Sequence, residues 1–113
     1  MKIGISANGK NLEDTISEVF ARCPYFIIAE IENGKIKSFE AIENEISGRM
    51  GGAGIFAAQL MAEKDVKAVI TKNIGPRAFD VLRQFSIEVY QGEGEIKKAI
   101  EKFIEGKLEK FEK

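Results

Sequence analysis

A glycine-rich loop is the part of this sequence best suited to hold a ligand. The stretch GRMGGAGIFAAQLMAEK, residues 48–64, places Gly51, Gly52 and Gly54 where a loop enters an apolar segment with helical spacing. Glycine allows close approach of the backbone to a ligand, and a helix N-terminus offers unpaired N–H groups and partial positive charge. The loop therefore predicts an anion site. A tight turn required only for packing the helix on a sheet explains the same glycines equally well.

Charged residues around the loop favour an anionic ligand but give a mixed field. Three of the four arginines lie in or beside predicted loops, as do two lysines: Arg22, Arg49, Arg77, Lys10 and Lys72. Acidic residues are close in sequence at Glu13, Asp14, Glu18, Glu45 and Glu93.

No Gly-Lys-Ser/Thr ending is present, which excludes a P-loop. The glycines follow a predicted hairpin and not the first strand of a βαβ unit, which excludes the dinucleotide fingerprint.

Soft or basic side chains for catalysis and metal binding are few. The chain has no histidine, so Ser-His and Cys-His pairs are impossible. Cys23, the single cysteine, can act as a thiolate nucleophile or a soft-metal ligand, or be a small buried apolar residue beside Pro24. Met50 offers a thioether or an ordinary apolar contact. The first predicted strand has no acidic residue, and the fourth ends at Thr71, which argues against metal-dependent nuclease chemistry. The chain is predicted not to be an enzyme.

The elements that position these residues follow from hydrophobic patterning. Strands are predicted over residues 2–7, 25–32, 36–43, 67–71 and 87–91, and helices from residue 53, from Pro76 and over about 95–105. Asn33-Gly34 predicts a type I′ hairpin turn. The order β–β–β–α–β–α–β–α predicts an α/β fold with a five-stranded mixed sheet and right-handed crossovers. Segment 8–24 can form one or two helical turns.

The number of strand reversals predicts that four loop segments lie at one edge of the sheet. Segments 8–24, 44–53, 72–76 and 91–94 should all emerge outside the carboxyl ends of the strands, where open α/β sheets bind ligands. The predicted core of the sheet is Ile3, Ile5, Ile27, Val69, Ile70 and Val89, with Ala57, Leu60, Leu82, Ile100 and Phe103 packed on it. The helix after the glycines is apolar nearly all round and should be mostly covered.

Composition limits the function classes. The 113 residues fit one domain, predicted over residues 1–106, with a loosely held charged tail at 107–113. The net charge of −1 gives no global attraction to nucleic acid or anionic membranes. No apolar run is long enough to span a membrane, and a lone cysteine without a signal-peptide pattern predicts a cytoplasmic protein.

Three stretches carry a resemblance to a known family. SEVFARCPYFIIAEIENGKI (17–36), GGAGIFAAQLMAEKDVKAVIT (51–71) and IGPRAFDVL (74–82) together resemble the dinitrogenase iron–molybdenum cofactor biosynthesis family, which comprises nitrogenase accessory proteins and short stand-alone homologues. The resemblance spans about residues 1–106. It implies a ribonuclease H-like fold with strand order 3-2-1-4-5, and a carrier that binds the iron–molybdenum cofactor or its iron–sulfur precursor.

The resemblance also implies which anion the predicted site binds. An iron–sulfur cluster bearing a carboxylate-rich organic acid is an anion, and glycine backbone and helix N-termini can hold it without a phosphate motif. The predicted ligand-binding residues are Arg22, Cys23, Arg49, Met50, Gly51, Gly52, Gly54, Asn73 and Gly75, with Cys23 as the metal ligand. This chain has Val19 where the family often carries histidine, so imidazole ligation is excluded.

Three hypotheses follow from these observations. The first is a non-catalytic carrier that transiently binds an iron–sulfur or iron–molybdenum type cluster or its precursor, exchanging it with donor or acceptor proteins. The second is a regulatory or partner-binding module that uses the same sheet edge for another small anion or a protein, without a metallocluster. An enzyme is the weakest of the three, because no catalytic residues are identified.

Overall fold

The computed structural model describes residues 1–45 and 51–112. Its elements are β1 (Lys2–Ala7), β2 (Tyr25–Glu32), β3 (Lys35–Glu43), α1 (Ala53–Glu63), β4 (Val66–Thr71), α2 (Pro76–Gln84), β5 (Glu88–Gln91), α3 (Ile96–Ile104) and β6 (Glu109–Lys110). None of the helices formed by these residues is long and apolar enough to cross a bilayer. The mixed α/β class is confirmed.

One mixed sheet organises the fold, in the order β3-β2-β1-β4-β5-β6. β1 pairs parallel with β4, and β4 pairs parallel with β5, while β2 runs antiparallel to both β1 and β3. The first five strands therefore stand in the predicted order, with the carboxyl ends of β1, β3, β4 and β5 at one edge. The hairpin turn is also as predicted, because Asn33 and Gly34 both have positive φ, 54° and 73°.

The sheet buries a hydrophobic core on each face. On one face α1 and α2 cover Phe26, Ile28, Val69 and Val89, and on the other α3 covers Ile3, Ile5, Ile27 and Ile70. The six predicted sheet residues are all buried, as are Ala57, Leu82 and Ile100. Leu60 and Phe103 pack on the core but are only partly buried.

The C-terminal segment differs from its prediction as a loose tail. Glu109 and Lys110 form a sixth strand, β6, antiparallel to β5. The Phe111 N–H then donates a hydrogen bond to the Val89 carbonyl oxygen at 2.8 Å, and the Phe111 ring packs on the core that α1 and α2 cover. The prediction of five strands was therefore wrong. A two-residue strand carries too short a pattern to be recognised, and it forms because β5 offers it an open edge.

One further expectation differs from the structure, and another agrees with it. Segment 8–24 forms no helix. It is held by isolated bridges of Ile16 to Ala7, Thr15 to Glu95 and Val19 to Asn73. The helix α1 is mostly covered, in keeping with its prediction, and Phe56 on its outer side is 41% exposed. The ribonuclease H-like assignment stays a prediction.

Candidate functional site

A cavity of about 300 Å³ lies at the carboxyl edge of the sheet, where segment 19–22 meets the beginnings of α1 and α2. It is lined by Val19, Phe20, Ala21, Arg22, Gly54, Gly75, Pro76, Arg77 and Ala78. The structure therefore brings together three residues predicted from the sequence to bind a ligand, Arg22, Gly54 and Gly75. They come from three separate parts of the chain.

Two helix N-termini open into this cavity without a side-chain cap. In α1 the first helical bond runs from the Phe56 N–H to the Gly52 carbonyl oxygen, and in α2 from the Phe79 N–H to the Gly75 carbonyl oxygen, both at 3.0 Å. The N-cap residues are both glycines, Gly52 and Gly75, and neither provides a side-chain cap. The earlier N–H groups of each first turn lack intrahelical acceptors and can donate to an anion, and α2 has one fewer of them because its first residue is Pro76.

The glycines of the loop serve two different purposes. Gly51 and Gly52 have φ of 80° and 76°, a conformation that other residues adopt with strain. Gly54 instead sits against α2, since a Cβ built on it would lie 2.9 Å from the Ala78 Cβ. The packing explanation therefore holds for Gly54, and this close approach brings the two N-termini together.

Ion pairs neutralise some of the charged side chains near the cavity. Lys72 contacts Glu18 at 3.1 Å and Glu93 at 3.7 Å, and the hydrogen bond and charge of Glu18 raise the pKa of Lys72. Glu18 and Glu93 are thus paired with Lys72, which does not line the cavity. The charged side chains that line the cavity, Arg22 and Arg77, are both cationic and exposed.

Asn73 does not line the cavity but holds its wall. Its side-chain amide donates to the Glu18 carbonyl oxygen at 3.1 Å, and its own carbonyl oxygen accepts from the Phe20 N–H at 2.9 Å. These bonds attach segment 18–20 to the end of β4. Asn73 therefore positions Val19 and Phe20, which do line the cavity.

Cys23 lies in the core under the cavity wall. Its side chain is 0% exposed and packs in the cluster that contains Phe20, Ala53 and Ala57. Burial raises the pKa of the Cys23 thiol, against smaller opposing effects of hydrogen bonds from its neighbours. In this conformation the thiol is shielded from solvent, so metal ligation by Cys23 would need segment 20–23 to open.

Asn44 holds segment 21–23 of this wall through side-chain hydrogen bonds. Its side-chain amide donates to the Ala21 carbonyl oxygen at 3.0 Å and to the Cys23 carbonyl oxygen at 2.8 Å, and Asn44 is 7% exposed. The sequence analysis missed this residue, since a single asparagine after a strand carries no pattern. It also missed the lining role of Val19, Phe20 and Ala21, which depends on pairing between Val19 and Asn73.

Two predicted site residues, Arg49 and Met50, lie outside the described residues. Among residues 1–45 and 51–112, no group of three or more Cys, Asp or Glu side chains is arranged to hold a metal ion. The described site is therefore built from backbone N–H groups, two arginines and apolar side chains.

Comparison with known proteins matches this chain to one family over most of its length. The family model described as dinitrogenase iron-molybdenum cofactor matches residues 1–106. The uncharacterized protein MJ0580 of Methanocaldococcus jannaschii is 45% identical over 113 residues, covering 99% of this chain and 92% of that protein. The uncharacterized protein MJ0327 of the same organism is 35% identical, covering 98% and 94%.

Solved structures agree with the family match. The apo form of the orange protein from Desulfovibrio gigas superposes with a TM-score of 0.89 at 28% identity, covering 97% of this chain and 92% of that chain. The crystal structure of MJ0327 superposes with a TM-score of 0.79 at 33% identity, covering 98% and 94%. The similarity therefore extends over nearly the whole of each chain.

Proposed function

We propose that this chain, which belongs to the dinitrogenase iron–molybdenum cofactor family, is a small non-catalytic carrier of an iron–sulfur-type metallocluster or its precursor. The cluster is cargo, received from one protein and passed to another. Family membership supports this class of cargo. The relationship to the orange protein, whose solved structure is an apo form, is consistent with a fold that binds and releases a ligand.

The observation that carries the proposal is the convergence of two uncapped helix N-termini with two arginines in one cavity. Gly54 of α1, residues 75–78 at the start of α2, and Arg22 and Arg77 are among the residues that line a concave space of about 300 Å³. Each N-terminus contributes partial positive charge, and each arginine contributes a full charge and several donors. An anionic cluster suits this arrangement because its charge is spread over several atoms.

The same arrangement suits transient binding. Clusters that stay in a protein are normally held by several thiolates, and this chain has one cysteine, which is buried. Binding through hydrogen bonds and charge leaves the cluster exchangeable. The apolar lining from Val19, Phe20 and Pro76 excludes some water and strengthens these electrostatic contacts.

Anaerobic reconstitution with iron and sulfide, with and without molybdate, tests the proposal. Metal content and the visible absorption spectrum are measured after removal of unbound metal. Arg77→Glu should reduce metal uptake several-fold, because it places negative charge at the cavity. The matched control is Arg83→Glu on the same helix, since Arg83 lies over the Phe79 ring and does not line the cavity.

Each outcome of the reconstitution bears on the proposal. If the unmodified protein takes up no iron or molybdenum, the carrier function is wrong. If Arg77→Glu and Arg83→Glu take up metal equally, the cavity is not the site. Cys23→Ala should keep its uptake if the cluster is held as described, whereas marked loss would assign a thiolate ligand and an opened conformation.

A second function, binding of another small anion without a metallocluster, is favoured by one observation. No metal-ligating group of side chains is present among the described residues, while the anion-binding features are present. Calorimetric titration of the metal-free protein with molybdate, phosphate and citrate tests this alternative. Saturable binding that Arg77→Glu weakens, together with failed reconstitution, would favour the anion module over the carrier.

A further inference from the structure

The cavity wall contains a residue in a strained backbone conformation. Ala21 has φ of 77°, in the left-handed region that residues other than glycine rarely adopt, and it is 2% exposed. The Arg22 N–H donates to the Val19 carbonyl oxygen at 3.1 Å, which closes a β-turn over residues 19–22. Of the two central residues of this turn, only Ala21 has positive φ. The turn is therefore type II, and its third position normally holds glycine.

Hydrogen bonds hold this turn on either side of its central peptide group. The Phe20 N–H donates to the Asn73 carbonyl oxygen at 2.9 Å. The Asn44 amide donates to the Ala21 carbonyl oxygen at 3.0 Å. Neither bond involves the peptide group that joins Phe20 to Ala21, and no donor in the described part of the chain reaches the Phe20 carbonyl oxygen. This peptide group can therefore rotate while the bonds that attach the wall to its neighbours stay in place.

The N–H of this central peptide group is directed at the core. Burial raises the pKa of the Cys23 thiol, and the backbone of Ala21 is among the hydrogen-bonding groups that oppose this rise. Only a donor favours the thiolate, so the Ala21 N–H is the group directed at the sulfur. The peptide is trans, so the Phe20 carbonyl oxygen is directed away from Cys23. Because Phe20 and Ala21 line the cavity, this peptide group offers the cavity an acceptor and no donor.

Rotation of the central peptide group changes both its strain and its polarity toward the cavity. Type II and type I turns differ in the orientation of this group, since ψ of the second residue and φ of the third change together. In a type I turn φ of the third residue is about −90°, which alanine adopts without strain. The same rotation turns the Ala21 N–H away from Cys23 and toward the cavity.

We propose that an anion entering the cavity flips the Phe20–Ala21 peptide group and converts the turn from type II to type I, so that the Ala21 N–H becomes a ligand-binding group. This flip rests on the anion-binding cavity of the proposed function. Binding gains a hydrogen bond to the anion and releases the strain at Ala21. It loses the hydrogen bond of the same N–H to the Cys23 sulfur, which is a weak acceptor. Occupancy of the cavity therefore sets the conformation of its wall.

Nuclear magnetic resonance of the metal-free full chain during titration with molybdate tests the flip. The one-bond coupling between Cα and Hα of Ala21 depends on the sign of φ. We expect a positive φ in the free protein and a negative φ at saturation. Calorimetry under the same conditions measures the affinity for molybdate, and Arg77→Glu shows whether molybdate occupies the cavity, because it should weaken binding there.

Ala21→Gly gives a second measurement of the same coupling. Glycine adopts positive φ without strain, so the type II turn of this variant has no strain to release and the flip becomes more costly. We expect molybdate to bind about fivefold more weakly. The matched control is Ser86→Gly, because Ser86 has φ of 60° and does not line the cavity. Its affinity for molybdate should be unchanged, and urea unfolding checks that both variants are folded.

The possible outcomes separate the flip from the proposed function. A change in the sign of φ, with weaker binding in Ala21→Gly but not in Ser86→Gly, supports the flip. If Arg77→Glu weakens molybdate binding while φ of Ala21 stays positive at saturation, the flip is wrong and the anion-binding cavity stands. If molybdate does not bind, or binds equally to Arg77→Glu, both are wrong. Equal affinities of the two glycine variants would also overturn the flip.

Discussion

Asn44 gives the most direct test of how the cavity wall is held. Its side-chain amide supplies two buried hydrogen bonds, to the carbonyl oxygens of Ala21 at 3.0 Å and Cys23 at 2.8 Å. Asn44→Ala removes both donors and leaves two acceptors in a site that water reaches poorly. Each net bond contributes about 0.5–1.5 kcal/mol, and an acceptor left unpaired costs more. We expect the free energy of unfolding to fall by about 2–3 kcal/mol.

Urea unfolding followed by circular dichroism measures this change. A loss of 2 kcal/mol raises the unfolding equilibrium constant about thirtyfold, and an unchanged m-value would place the effect in the native state. The matched control is Asn73→Ala, which removes one exposed bond, to the Glu18 carbonyl oxygen at 3.1 Å. We expect the control to cost about 0.5 kcal/mol.

The losses of unfolding free energy in Asn44→Ala and Asn73→Ala are compared to test whether the buried bonds hold the wall. If Asn44→Ala costs no more than Asn73→Ala, the buried bonds do not hold segment 21–23 and the argument is refuted. If it costs more, the cavity wall is shown to depend on a residue outside the cavity. In that case the Cys23 thiol should also become easier to label at urea concentrations that leave the protein folded.

Three further predictions follow from burial and charge. Cys23 should react very slowly with a thiol reagent in the native protein and rapidly in denaturant, because it is 0% exposed and burial raises its thiol pKa. Gly92→Ala should lower the free energy of unfolding by about 1–3 kcal/mol in urea titrations, because the new Cβ would lie 2.6 Å from the buried Ile70 Cγ2. A hydrogen bond from Lys110 lowers the pKa of the Glu88 carboxyl. The ion pair therefore contributes stability above the usual Glu pKa and loses it as pH falls through the lowered value, so the protection factors of the β6 amides, which correct for the intrinsic exchange rate at each pH, should fall in acid.

The sequence alone predicted the elements whose patterns are local. Alternation of apolar residues predicted β1, aromatic and β-branched residues predicted β2, helical spacing predicted α2 and α3, and Asn33-Gly34 predicted the hairpin turn. These elements form where predicted because their residues have matching intrinsic preferences and bury one consistent face. Counting strand reversals then placed the carboxyl ends of β3 and β4 at one edge of the sheet, which the observed pairings of β1 to β4 confirm.

Tertiary structure decided the features that depend on contacts between distant residues. Segment 8–24 lacks any period, and residues 19–22 become a cavity wall because Val19 pairs with Asn73 and the Asn44 amide bonds the Ala21 carbonyl oxygen. The last strand exists only because β5 offers an open edge to Glu109 and Lys110. The environment of Cys23 has the same origin, since the helices and the Asn44 amide enclose it. A local sequence pattern indicates the backbone preference of a segment and which of its faces is buried. The burial of a single side chain instead depends on which distant residues pack around it in the complete fold.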